Sequence, residues 1–184
     1  MSSRLQCMSL KEIFFLLLLM LASSELFAEE RYALVIGNSA YKENPLSNPV
    51  KDAELIGSRL EQLGFEVQYV INANQVQMLD EIGKFETRLK ITKNATTSAY
   101  YAGHGVQVDG ENFLLPVDFS GQSEGDTKRR AVNANILIDA MQAAKGNVNF
   151  LVLDACRNNP FEKKWRSLEN GGLAQIKAPA GTLV

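Results

Sequence analysis

The chain has 184 residues, 46% of them hydrophobic, and a formal net charge of −2. That length suits one ordinary globular domain with a buried core and is too short for two sizeable ones. With no basic excess and no long block of one charge, nothing marks a nucleic-acid surface or a charged interaction tail.

In chain order the first element is a leader. Arg4 and Lys11 precede an apolar run from Ile13 to Ala22, and Ser23-Ser24-Glu25-Leu26-Phe27-Ala28 offers small residues for cleavage after Ala28. A basic start, a short apolar centre and a small-residue exit read as a secretory signal peptide. The run also falls short of the ~20 residues a transmembrane helix needs. Residues 1–28 are therefore expected to be a signal peptide and residues 29–184 the folded domain, periplasmic or secreted. Membrane attachment is expected only if the leader is retained.

Arg31 to Gly37 is an apolar run ending in Gly, the pattern of a buried strand. Asn38 to Asn48 reads as a loop. Asn48-Pro49 looks like a helix cap followed by Pro at the first helical position, with Ala53, Ile56, Leu60 and Leu63 at helical spacing and Gly64 as the stop. Phe65 to Ile71 predicts a second strand. Asn72 to Lys90 predicts a second amphipathic helix, with Val76, Leu79, Ile82, Phe85 and Leu89 on one face. A third strand is expected over Thr97 to Tyr101, then a hairpin from Val106 to Val117 turning at Asp109-Gly110. Ser120 to Arg130 reads as an exposed loop. A third helix spans Ile136 to Ala144, with Asn133 or Asn135 as cap and Gly146 at its end. Val148 to Leu153 is a fourth buried strand, the stretch from Asn158 is polar and loop-like, and Thr182-Leu183-Val184 resembles the start of another strand. Alternating strands and helices describe an α/β sandwich with a mostly parallel sheet. In such sheets ligands bind beyond the carboxyl ends of the strands. Gly103-His104-Gly105 is expected just past the third strand and Ala155-Cys156-Arg157 just past the fourth, so both fall at that edge.

His104 is the single histidine of the chain. Cys7 lies in the leader, so Cys156 is the one cysteine of the mature part, and no internal disulfide or zinc set can form. A Cys nucleophile needs a neighbouring group to manage protons, and His is the usual one at neutral pH. Gly on both sides of His104 removes bulk where a substrate backbone would approach, and the amides of Gly105 and Cys156 are candidate donors to an oxyanion. No Gly-rich phosphate loop ending in Lys-Ser or Lys-Thr is present. Asp118, Glu124 and Asp126 are too sparse for a compact calcium loop, which leaves a calcium requirement possible but unsupported.

Tyr100-Tyr101-Ala102-Gly103-His104-Gly105 and Leu153-Asp154-Ala155-Cys156-Arg157-Asn158 resemble the His and Cys motifs of the caspase-like clan, and the interval between them is similar to the caspase pattern. Ala33 to Tyr41 and Phe113 to Asp118 resemble further stretches of its bacterial members, the relatives of metacaspases and paracaspases. The resemblance runs over residues 31–184. It implies a caspase-like three-layer sandwich, a p20-like catalytic domain of the peptidase C14 type. It also implies a cysteine endopeptidase acting on peptide or protein substrates without a cofactor. In that reading His104 is the general base and acid, Cys156 the nucleophile, and the Gly105 and Cys156 amides the oxyanion donors. Metacaspases and paracaspases carry an acid two residues before the Cys and another at the start of the first helix, and cleave after Arg or Lys. Asp154 and Asp52 stand at the matching positions. Two carboxylates lining a pocket favour a cationic side chain and repel an acidic one.

The resemblance also implies further strands after the Cys loop, walling one side of the specificity pocket. This chain stops at Gly181-Thr182-Leu183-Val184, so the sandwich is expected to be truncated at its C-terminus. Two expectations follow: self-association or completion by another chain, and, as an alternative function, a catalytically silent caspase-like module that binds peptides or partner chains.

Overall fold

The computed structural model describes residue 11 and residues 29–92, 94–144, 148–156 and 173–184. Residues 1–10 and 12–28, where the leader is expected, lie outside them, as do Gly146 and the stretch 157–172. Among the described residues no helix is long and apolar enough to cross a membrane.

The core is a parallel sheet. β1 (Glu30–Gly37) lies between β2 (Glu66–Ile71) and β3 (Ala95–Val108), and β3 pairs on its other side with β6 (Val148–Cys156). The two-residue β7 (Thr182–Leu183) pairs parallel with β6 through Asn149↔Thr182 and Phe150↔Leu183. The last residues of β3 turn into a second, antiparallel ladder with β4 (Glu111–Leu114), which pairs in turn with β5 (Val132–Asn133). The expected mostly parallel α/β sheet is what the chain forms.

Side chains alternate between two covered faces, as the period of a strand requires. Val35, Tyr100 and Ala102 pack with Ala53, Ile56 and Leu60 of α1 (Pro49–Gln62). Leu34, Ile36, Ala99 and Tyr101 face the other way, toward Met78, Ile82, Phe85 and Leu89 of α2 (Gln75–Ile91) and Leu137 and Met141 of α4 (Asn135–Gln142). This makes three layers. α1 covers β1 to β3 but not β6, so Val148, Phe150 and Val152 remain exposed on that side.

Several boundaries differ from the sequence reading for identifiable reasons. Asn48 is the N-cap of α1 by position but makes no side-chain cap bond, because its own backbone is already helical (φ −107°, ψ −33°). The predicted stop is found: the Gly64 and Phe65 amides donate to the Glu61 and Leu60 carbonyls, closing the helix end. α2 begins at Gln75 rather than Asn72, behind a reciprocal capping box of Asn74 and Gln77. Its buried stripe includes Met78, whereas Val76 and Leu79 are exposed. At 100° per residue, Met78, Ile82, Phe85 and Leu89 share one narrow arc, and Val76 falls on its far side. The expected loop over Ser120 to Arg130 contains a short helix, α3 (Glu124–Arg130). Ser123 caps it by accepting from the Asp126 amide, and Lys128, Arg129 and Arg130 fill the last turn. α4 has Ala134 at its N-cap position, although the Asn133 carboxamide accepts the Asn135 amide. The Asp109-Gly110 turn forms as expected, with both residues at positive φ (51° and 78°).

Candidate active site

His104 and Cys156 occupy paired register positions on neighbouring parallel strands. Strands in a sheet run about 4.8 Å apart, so the two backbones are adjacent. His104 and Cys156 both lie within their strands rather than in loops beyond them. Gly103-His104-Gly105 lies inside β3, where pairing to β6 ends and pairing to β4 begins through Gly105↔Leu114. Cys156 is the last residue of β6. The Gly residues read as loop punctuation, yet strand pairing on both flanks holds them extended.

Both backbone polar groups of His104 are held by tyrosines. Its amide donates to the Tyr41 hydroxyl (2.9 Å), and its carbonyl accepts from the Tyr101 hydroxyl (2.6 Å) and the Leu115 amide (2.9 Å). The Tyr41 hydroxyl donates onward to the Leu115 carbonyl (3.0 Å). Gly103 is what admits this pair of hydroxyls. A Cβ there would lie 2.6 Å from each.

The imidazole is buried, with the Tyr41 ring tilted against it at a centroid distance of 4.4 Å. Nε2 lies 2.7 Å from the Asn44 carbonyl. A carbonyl only accepts, so Nε2 carries the proton and Nδ1 the lone pair. Among the described residues Nδ1 is buried without a hydrogen-bond partner. Burial pushes the His104 pKa below its ordinary 6.5, opposed in part by the bond to Asn44, so the ring is neutral at pH 7.

The loop that delivers Asn44 is itself anchored. The Asn38 carboxamide bonds the Ala73 amide (2.9 Å) and the Leu115 carbonyl (3.2 Å), and Asn72 accepts the Ser39 and Ala40 amides. Asn44 takes the left-handed conformation (φ 56°), which Asn tolerates better than most residues.

The two acids meet around Tyr100. Asp52 is half-buried in the first turn of α1, and Asp154 is exposed near the end of β6. The Tyr100 hydroxyl donates to Asp154 Oδ2 (3.1 Å), and both carboxylates act electrostatically on it. α1 comes this close because Gly37 lacks a side chain: a Cβ there would lie 2.7 Å from that of Ala53. Gly105, one residue past His104, is buried.

The structure therefore places His104 beside Cys156 in strand register, and both Asp52 and Asp154 within electrostatic reach of the Tyr100 hydroxyl. Sequence reasoning missed Tyr41, Asn44, Tyr100 and Tyr101. Only Asn44 carried a local signal, as an Asn in a turn-rich loop; Tyr41 and Tyr100 act across the fold, and Tyr101 on the backbone of its own strand.

Comparison with known proteins shows the family and the fold. The peptidase C14 caspase-domain model matches residues 30–181. Human mucosa-associated lymphoid tissue lymphoma translocation protein 1 is 30% identical over 131 residues, as is its mouse homologue. Each alignment covers 71% of this chain and spans 15% of the relative's length. Among solved structures, protein GSU0716 from Geobacter sulfurreducens is similar in fold, with a TM-score of 0.52 at 17% identity, over 69% of this chain and 50% of that one. The chain belongs to the peptidase C14 family, and the sheet that carries His104 and Cys156 is its caspase domain.

Proposed function

We propose that this chain is a cysteine endopeptidase that works through His104 and Cys156 and cleaves after Arg or Lys. Membership of the peptidase C14 family supports cysteine peptidase function and substrates that are peptides or proteins. The observation that carries the finer reading is the register pairing of His104 with Cys156, with Nε2 committed to Asn44 and the Nδ1 lone pair unspent.

In this mechanism Nδ1 takes the thiol proton of Cys156 and the thiolate attacks the scissile carbonyl carbon. The amides of Gly105 and Cys156 hold the oxyanion that forms. The imidazolium then gives its proton to the leaving amine, and the acyl-enzyme remains. Water, deprotonated by the same nitrogen, hydrolyses the thioester and restores the thiol. Asp52 and Asp154 bind the cationic side chain of the residue before the cut, and their like charge repels an acidic side chain there.

Matched fluorogenic peptides ending in Arg, Lys or Asp test the reading, with Cys156→Ala as the control. Expected is cleavage after Arg and Lys that the variant lacks. Cleavage after Asp would overturn the pocket assignment. No turnover from folded protein, with calcium supplied, would leave the silent binding module.

Export through the leader is part of the same proposal, with the mature chain periplasmic or secreted. The intact mass of protein recovered outside the cytoplasm is expected to correspond to a chain starting at Glu29. A mass that includes residues 1–28 would mean a retained anchor.

A further inference from the structure

We propose that Tyr100 is a positioning residue that sets the selectivity of this site among cations: its hydroxyl, bonded to one oxygen of Asp154, fixes the plane of the carboxylate, whose remaining lone pairs on both oxygens accept from the two arms of a planar guanidinium. The proposal rests on the reading of Asp52 and Asp154 as the acids that receive a basic side chain.

Tyr100 is placed for this by the sheet. Its ring is buried against Val35, Ala53 and Ala102, in the layer between β3 and α1. Ala53 follows Asp52 on α1, and Ala102, two residues along β3, is the register partner of Asp154. The tyrosine thus lies between α1 on one side and β6 on the other, where Val152 and Asp154 are exposed. Its hydroxyl reaches Asp154 Oδ2 at 3.1 Å. Burial raises the phenol pKa, and the charge and hydrogen bond of Asp154, then the charge of Asp52, raise it further. It remains a protonated donor throughout the neutral range.

A carboxylate with one oxygen tied down cannot rotate freely. A guanidinium is a rigid planar fork and gains from an acceptor held in one orientation. An ammonium is a point charge with rotating donors and gains much less. Tyr100 therefore favours Arg over Lys, without touching the reacting atoms.

The test compares the full chain with Tyr100→Phe, which keeps the ring and removes the hydroxyl. Benzamidine and benzylamine serve as probes, since they present a planar amidinium and a point ammonium on the same ring. By calorimetry, wild type is expected to prefer benzamidine. Tyr100→Phe should weaken that probe about tenfold, the size of one hydrogen bond to a charged group, and bring the two affinities together. With Arg and Lys peptides the same change should appear in KM rather than kcat. Unchanged affinity and KM ratios in a variant that melts like wild type would overturn the proposal, and so would a wild type that binds neither amine. A shifted binding ratio with no peptide cleaved would support Tyr100 while sinking the peptidase reading. If Tyr100→Phe does not fold, Asp154→Asn supplies the second measurement. Ultraviolet titration should show one tyrosine ionising at lower pH than in wild type, and an unchanged curve would count against the clamp.

Discussion

Replacing His104 with Gln is expected to lower kcat/KM about 10²–10⁴-fold at neutral pH, the usual contribution of a positioned acid–base group. Gln is the informative choice because its carboxamide can still donate to the Asn44 carbonyl that now accepts from Nε2. What it lacks is the basic nitrogen. The fold should survive, since the contacts that hold residue 104 in place run through its backbone to Tyr41, Tyr101 and Leu115. The same substitution has a signature in stability. Burial lowers the folded pKa of His104 below 6.5, so the unfolded chain binds a proton more readily. The stabilisation is fully present above pH 6.5 and is lost as pH falls through the folded value. Acid melting curves of wild type should carry this slope, and those of His104→Gln should not. Retention of near-wild-type turnover by the variant would remove His104 from the chemistry.

Gly103→Ala is expected to damage the fold and the site together. The added carbon would stand 2.6 Å from the hydroxyl oxygens of Tyr41 and Tyr101, far inside ordinary contact. Overpacking of this kind costs about 1–3 kcal/mol, and a displaced hydroxyl gives up a bond to His104 worth about 1 kcal/mol more. For a domain of this size the combined loss corresponds to a fall in Tm of roughly 5–15 °C. Activity should fall with it, because the two hydroxyls bind the amide and carbonyl of His104. The cause can be isolated with a double-mutant cycle. In a Tyr41→Phe background one of the two clashing oxygens is gone, so adding Gly103→Ala should cost less than it does alone. Strictly additive costs would mean that the clash is not the source of the damage.

Much of this architecture was legible because it rests on short-range patterns. The apolar run of β1, the Pro49 start of α1 and the Asp109-Gly110 turn each need only a few neighbouring residues to declare themselves. Where reading failed, a distant partner decided the outcome. Gly103-His104-Gly105 looks like a loop from its own composition, and only the ladders to β4 and β6 make it strand. The α3 helix failed for a different reason. Its polarity suggested a loop, while Ser123, Asp126 and the basic last turn were capping signals that could have been weighed. Among the site residues, His104, Cys156, Asp52 and Asp154 stood out through motif and rarity. Tyr41 and Tyr101 did not, because nothing in a local window tells one buried tyrosine from another; their value comes from meeting a backbone 63 and 3 residues away.

The continuity of β3 also determines where this domain can breathe. From Thr96 to Ala102 the strand is bonded to β1 on one flank and β6 on the other, and His104 follows without a break. Opening such a segment means separating the centre of the sheet, so its amides exchange only through near-global unfolding events. His104 thus belongs to the slowest-opening unit of the molecule, a fixed post. If the proposed peptidase activity holds, the motion that admits a polypeptide and releases its products has to be borne by cheaper, more frequently opening segments around that post.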